Sequence, residues 1–222
     1  MSNYFRQVPD LEYVSRSKDA VLGEYSKVKN LFKRGKLRED IFQDLSFFTK
    51  YDIKGNDRPD NVANEVYGDS NLDWVVLICN NILNVQSEWP MPQQVFDEYV
   101  LDKYGDYDTL YNGVHHYETL EVKNSQGVVI LPAGLQVDSD YTLTYYDFFT
   151  DGYQFKTDIV VPVTNYEYED NLENNKRTIF LLKPRYLNVV KDDLEELMTY
   201  EKGSTQYVSG TLKRADNIRL YT

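Results

Sequence analysis

The stretch TKYDIKGNDRPDNVANEVYGDSNLDWVVLICNNI, residues 49–82, carries the clearest local signals in the chain. Its opening TKYDIKG is typical of a short strand that ends at Gly55. NDRPDNVANEVYG then predicts a helix with Asp57 as its N-cap and Pro59 in its first turn, where a missing N–H costs nothing. Gly68 supplies the C-terminal stop of this helix.

Two further helices are predicted after Gly68. The first is capped by Asp69 or Ser70 and ends at Asn80. The linker WPMP (89–92) leads into the second, PQQVFDEYVLDKYG. The side chains expected in the core of these three helices are Val62, Ala63, Val66, Leu72, Trp74, Val75, Val76, Leu77, Cys79, Val95, Phe96, Tyr99 and Val100.

The N-terminal flank, residues 1–48, is predicted to be an extended arm over 1–23 followed by short helices. It mixes polar and aromatic residues, with a short strand near Leu11–Val14. Apolar spacing within 24–48 favours two short helices separated by Gly35. The first would carry Val28, Leu31 and Phe32, and the second Ile41, Phe42 and Leu45.

The downstream flank changes character twice. Residues 105–190 alternate turn signals with β-rich runs, which predicts a small antiparallel sheet with a hairpin around Gly127. Residues 191–222 begin with KDDLEELMTYEKG, a predicted helix with acids near its N-terminus and a stop at Gly203. The remainder is predicted to be a short helix or an extended tail. The predicted fold is therefore α+β, in four parts bounded at 1–48, 49–104, 105–190 and 191–222.

Composition excludes several classes of function. The 222 residues carry a formal net charge of −12, so binding to polyanionic nucleic acid is not expected. The sequence contains no apolar run long enough for a membrane span, and its start lacks the apolar segment expected of a signal peptide. Cys79 is the single cysteine, which fits synthesis in a reducing host cytoplasm and an inert buried thiol.

The residues that most often perform chemistry do not form a recognisable site. His115 and His116 are the only histidines, and neighbours on a strand point to opposite faces, which disfavours a shared metal. No nucleophile or phosphate-binding motif occurs. No acid pair lies in an apolar setting that would raise a pKa. We expect no catalytic residue, metal or cofactor.

Residues 49–82 resemble a LysM module, a family that binds N-acetylglucosamine polymers. The residues that carry this likeness are Tyr51, Ile53, Gly55, Asp57, Val62, Ala63, Tyr67, Gly68 and Asn80. The closing strand of that family is missing after residue 82, where WPMP and another helix stand. We therefore expect the usual glycan groove to be absent.

A longer pattern is similar to the baseplate wedge subunit of T-even-type contractile-tail bacteriophages, in the version found in cyanophages. It adds to the LysM-like residues Arg58, Pro59, Trp74, Val75, Leu77 and Trp89. The resemblance implies a structural, non-enzymatic protein of the virion tail baseplate. Its partners would be other baseplate wedge proteins, and its role would be to join wedges into a sixfold baseplate. The alternative is a cell-wall glycan-binding LysM module.

Two segments are candidates for partner binding. KVKNLFKRGKLR (27–38) carries six basic residues and no acid, so it is either a solvated face or a docking patch for an acidic surface. These residues are Lys27, Lys29, Lys33, Arg34, Lys36 and Arg38. The C-terminal segment is rich in apolar groups that either reach a neighbour or fold back on the chain. These groups are Leu194, Leu197, Met198, Tyr200, Tyr207, Leu212, Ile218, Leu220 and Tyr221.

Overall fold

The computed structural model describes residues 4–15, 17–21 and 23–215. They form an α+β fold, as the sequence predicts, and divide into two compact units. Unit 1 comprises the described parts of Met1–Trp89 and Thr178–Thr222, and unit 2 is Pro90–Arg177. These boundaries differ from the four predicted segments, because the chain returns to unit 1 after residue 177.

The secondary structure alternates short helices and short strands. The α-helices of the described chain are α1 (Tyr4–Gln7), α2 (Glu39–Gln43), α3 (Pro59–Tyr67), α4 (Asp73–Cys79), α5 (Val85–Glu88), α6 (Gln93–Tyr104), α7 (Tyr107–Asn112), α8 (Asn165–Arg177) and α9 (Leu187–Met198). The strands are β1 (Asp10–Val14), β2 (Tyr25–Lys29), β3 (Phe48–Asp52), β4 (Val114–Thr119), β5 (Val122–Lys123), β6 (Val129–Leu131), β7 (Gln136–Val137), β8 (Leu143–Asp147), β9 (Gly152–Lys156), β10 (Val160–Thr164), β11 (Thr178–Leu182), β12 (Tyr207–Ser209) and β13 (Leu212–Arg214). Single 3₁₀ turns lie at Leu45–Phe47, Ser70–Leu72 and Pro184–Tyr186.

The centre of unit 1 is a strand–helix–helix–strand arrangement of β3, α3, α4 and β11. The predicted strand and both predicted helices are confirmed. Gly68 ends α3 with a left-handed φ of 72°, a conformation that glycine adopts without steric cost. The predicted N-cap was wrong by one residue, since Arg58 occupies that position and Pro59 opens the helix. Asp69 caps the next turn by accepting a hydrogen bond from the N–H of Asn71.

The partner strand of β3 comes from a distant part of the chain. β11 pairs antiparallel with β3 in a register that runs from Thr178 opposite Asp52 to Leu182 opposite Phe48. The sequence after residue 82 indeed forms α5 instead of a strand. Local spacing gave no information about the pairing of β3 with β11, because unit 2 lies between α5 and β11.

The core of unit 1 forms where these elements meet. Trp74 is 5% exposed, whereas Val66 and Leu77 are only partly buried against the same core. Cys79 is buried, as predicted, and burial raises the pKa of its thiol to about 12. The buried apolar residues of this core are Val8, Leu37, Ile41, Phe48, Ile53, Val62, Ala63, Leu72, Trp74, Val75, Val76, Cys79, Trp89, Ile179, Leu181, Leu182, Val190, Leu194 and Met198.

A second sheet of unit 1 joins the two ends of the described chain. Its strand order is β12-β13-β1-β2, with β1 parallel to β13 and antiparallel to β2. The predicted strand near Leu11–Val14 is confirmed. The helix predicted around Val28 is wrong, because this stretch is β2 and pairs residue for residue with β1. Of the two helices predicted in 24–48, only the second exists, as α2.

The last helix, α9, begins earlier and ends earlier than predicted. It starts at Leu187, and its C-cap is Thr199 instead of Gly203. Its acids lie in the middle of the helix and none lies in its first turn, so the helix dipole does not explain them. Val190, Leu194 and Met198 are buried, and this apolar stripe four residues apart fixes the helix on the core.

Unit 2 combines helices and short sheets. Its three-stranded sheet has the order β10-β4-β7, and α7 and α8 pack near it. Neither of these helices was predicted, since frequent turn signals masked the helical pattern. In α6 only Phe96 and Val100 are buried, whereas Val95 and Tyr99 are exposed, so half of the predicted core face was wrong. Residues four apart share one face of a helix, and that face packs with Leu110.

Two buried acids lie on α8 and both are paired within unit 2. Glu169 accepts hydrogen bonds from Lys103 Nζ at 2.6 Å and from Tyr104 OH at 2.9 Å. Glu173 accepts from the N–H of Met91 and from Lys176 Nζ. Such pairing offsets the free-energy cost of burying a polar group.

Two hairpins complete unit 2. β5 and β6 pair around Gly127, which confirms the predicted hairpin, and Gly127 has a φ of 79°. β8 and β9 form a separate two-stranded hairpin. The inward face of this second hairpin packs on a small core of Val122, Leu131 and Ile159.

Candidate docking surface

The basic segment crosses the C-terminal end of α9 in unit 1. Lys33 Nζ donates hydrogen bonds to the carbonyl oxygens of Leu197 at 2.7 Å and Thr199 at 3.0 Å. These carbonyls have no partner within the helix, so a cation is favoured there. Burial, with a contribution from nearby Lys213, lowers the pKa of Lys33.

Tyr200 forms the floor of this crossing. It is buried, and its OH accepts a hydrogen bond from Asn30 Nδ2 at 2.8 Å. The Nζ atoms of Lys33 and Lys213 lie 4.9 and 5.0 Å from the centre of its ring. A ring face attracts cations, so Tyr200 stabilises both ammonium groups, which still repel each other.

Gly35 allows the segment to lie directly on the core. Its N–H donates to Tyr4 OH at 2.9 Å. A β-carbon at this position would stand 2.6 Å from Leu194 Cδ1 and 3.2 Å from Ile78 Cδ1. A larger residue here would have to displace the ends of these side chains, so glycine favours the close approach, and Gly35 does not act as the predicted spacer between helices.

Arg34, Lys36 and Arg38 pair with side chains instead of backbone carbonyls. Arg34 Nη2 donates to Asn81 Oδ1 at 3.1 Å, and Lys36 lies 3.5 Å from Glu39. Arg38 hydrogen-bonds Asp40 and lies 3.4 Å from Asp193. The hydrogen bond with Asp40, followed by the charge of Asp193, raises the pKa of Arg38.

These contacts border an open groove with a volume of about 770 Å³. Five cations and three carboxylates line it, together with apolar side chains. The lining residues are Phe32, Lys33, Arg34, Lys36, Leu37, Arg38, Asp193, Glu196, Leu197, Thr199, Tyr200, Glu201 and Lys213. Phe32 is 95% exposed at this groove. An exposed aromatic ring beside a cationic groove is typical of a docking surface.

The structure brings together four of the residues predicted to bind a partner and separates the others. Lys33, Arg34, Lys36 and Arg38 line the groove. Lys27 and Lys29 instead lie on β2, where both form ion pairs with Asp10 at 3.1 and 3.0 Å.

The C-terminal residues predicted to bind a partner also fall into two groups. Tyr207 and Leu212 belong to β12 and β13 and are partly buried. Ile218, Leu220 and Tyr221 lie outside the described residues. In the part that is described, the C-terminal segment folds back on β1.

Sequence reasoning missed several groove residues. Asp193, Glu196, Glu201 and Lys213 were not among the expected binding residues, since charges on a helix or a hairpin usually face solvent. Leu197 and Tyr200 were among the apolar C-terminal residues predicted to reach a neighbour or fold back. Their apolar character was the signal that pointed to them. Phe32 was assigned to a helix face that does not exist.

The histidines and the cysteine do not form a site in the described residues. His115 and His116 approach with 2.9 Å between their Nδ1 atoms, contrary to the expectation that they diverge. The register shifts at this point of β4, and such a bulge turns neighbouring side chains toward each other. Residues 4–15, 17–21 and 23–215 hold no cluster of three or more metal-ligating side chains. The same ranges include no helix that is long and apolar enough to cross a membrane.

Comparison with known proteins identifies the family. A family model described as "Base plate wedge protein 53" matches residues 5–199. The chain belongs to this family of baseplate wedge proteins. It is also 37% identical over 54 residues to "Baseplate wedge protein gp53" of Enterobacteria phage T4. These aligned residues make up 24% of this chain and 28% of that protein. The matched region thus spans just over a quarter of the curated relative. The family is one of structural proteins of the phage tail baseplate.

Proposed function

We propose that this chain joins neighbouring wedges into a sixfold baseplate and that the groove of unit 1 receives an acidic segment of the next wedge. The observation that carries the proposal is the groove itself. It contains two more cations than carboxylates, in a chain whose net charge is −12. Local charge of the opposite sign selects an acidic partner.

The construction of the groove supports a joining role. It forms where the N-terminal segment crosses the C-terminal helix, so both ends of the described chain contribute to one surface. Lys33 is fixed by two carbonyls, whereas the ion pair of Lys36 is long and exposed. Lys36 can therefore leave Glu39 for a partner at little cost in free energy, because exposed ion pairs are weak.

We also propose that β3, α3, α4 and β11 form a LysM-like scaffold. The antiparallel pairing of β3 with β11 supports this arrangement. Asn80, at the end of α4, contacts β11 directly. In this proposal the scaffold has a structural role, with the family membership favouring assembly over glycan binding.

The proposal is tested by adding purified chain to wedges of the same phage that were assembled without it. The double variant Phe32→Ser/Lys36→Glu removes the exposed ring and one cation and breaks only the 3.5 Å ion pair with Glu39. A matched control, Leu83→Ser/Lys18→Glu, replaces an exposed apolar residue by serine and an exposed lysine by glutamate outside the groove. Wild type and control are expected to convert wedges into sixfold particles on a sucrose gradient. Normal conversion by the groove variant, with a native circular dichroism spectrum, would overturn the proposal.

A further inference from the structure

The charge of the chain is concentrated in unit 2. Residues 90–177 contain sixteen aspartates and glutamates against five lysines and arginines, a formal net charge of −11. The rest of the chain therefore carries only −1 of the total of −12. A unit with this charge attracts cationic surfaces and repels nucleic acid and anionic lipid.

The β8–β9 hairpin of unit 2 has one packed face and one open face. On the packed side, Leu143 and Tyr145 contact the small core of unit 2. Tyr146 lies opposite Tyr153, and Thr144 lies opposite Phe155. Since side chains alternate along a strand, these four share the other face, and all four are exposed.

The open face is aromatic where a solvated face would be polar. An antiparallel sheet with one face in water normally alternates apolar and polar residues. Here the exposed fractions are 78% for Tyr153, 63% for Phe155 and 37% for Tyr146. The turn adds Phe148 at 84% and Phe149 at 65%. We name these five residues the aromatic face.

Three of the five rings of the aromatic face contact one another. The ring of Tyr146 lies edge-on to those of Phe148 and Tyr153, with centroids 5.1 and 5.2 Å apart. Tyr146 OH donates a hydrogen bond to Asp151. The turn is tied by buried Asp147, which accepts hydrogen bonds from the N–H of Phe149 at 3.0 Å and of Ser125 at 3.3 Å. Rigid aromatic groups lose little entropy on binding and are common anchors in interfaces.

We infer that the aromatic face docks this chain onto its own wedge, on a protein surface that carries lysines and arginines around an apolar depression. The inference rests on the proposed function and adds a second contact of different chemistry. An acidic unit with an aromatic face meets one neighbour, and a cationic groove in unit 1 receives another. A joining protein needs two such contacts.

The test uses isolated wedges of the same phage that lack this chain, immobilised for surface plasmon resonance. Tyr153→Ser/Phe155→Ser in the full-length chain removes two exposed rings that contribute nothing to the core. The control Val128→Ser/Leu135→Ser removes two exposed apolar residues of unit 2 outside the aromatic face. We expect the hairpin variant to bind roughly tenfold or more weakly, as loss of aromatic anchors does. The control should bind as wild type, and added salt should slow association of all three.

The outcomes separate this inference from the proposed function. Wild-type affinity of the hairpin variant would overturn the inference, as would association that does not respond to salt. Self-association of the chain through this face, detected as a dimer by sedimentation that the variant lacks, would also overturn it. The groove variant is expected to bind isolated wedges normally and to fail only when wedges join. Failure of the groove variant at the first step would instead count against the proposed function.

Discussion

The side-chain amide of Asn80 pairs with both backbone polar groups of Phe180. The N–H of Phe180 donates to Asn80 Oδ1 at 2.8 Å, and Asn80 Nδ2 donates to the carbonyl of Phe180 at 2.9 Å. In a two-stranded ladder every second residue points its polar groups away from the partner strand. Asn80 therefore covers the outer edge of β11 and joins the end of α4 to a strand that is 100 residues away.

Replacing this amide should weaken the attachment of β11 to α4. Asn80→Ala is expected to lower the free energy of unfolding by about 1–2 kcal/mol, because two hydrogen bonds to Phe180 and one to the carbonyl of Val76 are lost and water replaces them only in part. Asn61→Ala, at an exposed position of α3, is the matched control. Urea denaturation followed by circular dichroism measures both variants. Equal stability of Asn80→Ala and wild type would show that the amide does not hold β11.

Asp10 should make the sheet of unit 1 sensitive to acid. Burial raises the pKa of this carboxyl, but the hydrogen bonds and charges of Lys29 and Lys27 outweigh burial and bring it below its ordinary value of 3.8. A carboxyl with a lowered folded-state pKa stabilises the fold above its unfolded-state pKa, and this stability is lost as the pH falls through the folded-state value.

Asp10→Asn is therefore expected to cost about 1 kcal/mol at pH 7, the sum of two partly exposed ion pairs. The difference between wild type and variant should shrink as the pH falls below about 4. Asp19→Asn, in an exposed turn, should show no difference at either pH. A difference for Asp10→Asn that persists undiminished at low pH would contradict the role of its charge.

Truncation tests whether the C-terminal segment is part of the fold. Deleting 204–222 removes β12 and β13, so β1 loses its parallel partner. The N–H of Tyr200 also loses the hydrogen bond that it donates to the carbonyl of Gly210. We expect a clear fall in the thermal midpoint. Deleting 216–222 alone keeps every described strand and should have a smaller effect. A truncation at 204 that melts like the full chain would contradict the fold-back arrangement.

Glycan binding provides a test of the alternative function. The loop between β3 and α3 is held by Trp89, whose indole N–H donates to the carbonyl of Asp57 at 2.9 Å. Because this loop is tied to the segment that leads into unit 2, we expect no binding of chitin oligomers tighter than about 1 mM, or about −4 kcal/mol. Isothermal titration calorimetry measures it. Tighter binding would favour a cell-wall-binding module.

The sequence predicted the elements whose signals are local. Pro59, Gly68 and the apolar spacing of α3 and α4 fix those helices without help from distant residues. Gly127 likewise fixes the β5–β6 hairpin. Where a signal depends on a partner far along the chain, prediction failed. β11 completes unit 1 only after an 88-residue unit, and the stretch around Val28 becomes a strand because β1 pairs with it.

The docking groove was predictable only in part. A run of six cations in an acidic chain pointed to four residues that line it. The direction of each side chain could not be read from the run, since Lys27 and Lys29 turn to Asp10 while Lys33 turns to α9. The aromatic face was also not recognised, because alternating aromatics predict a strand without showing which face is covered.

Site-specific cross-linking in assembled particles tests the joining role most directly. A photoreactive amino acid replaces Phe32, the exposed aromatic residue of the groove. It is irradiated in isolated wedges and in complete baseplates. Cross-linked peptides are then identified by mass spectrometry. If the groove joins wedges, cross-links to another baseplate protein should appear in complete baseplates and be absent from isolated wedges. Identical cross-links in both samples, or cross-links only within this chain, would contradict the account.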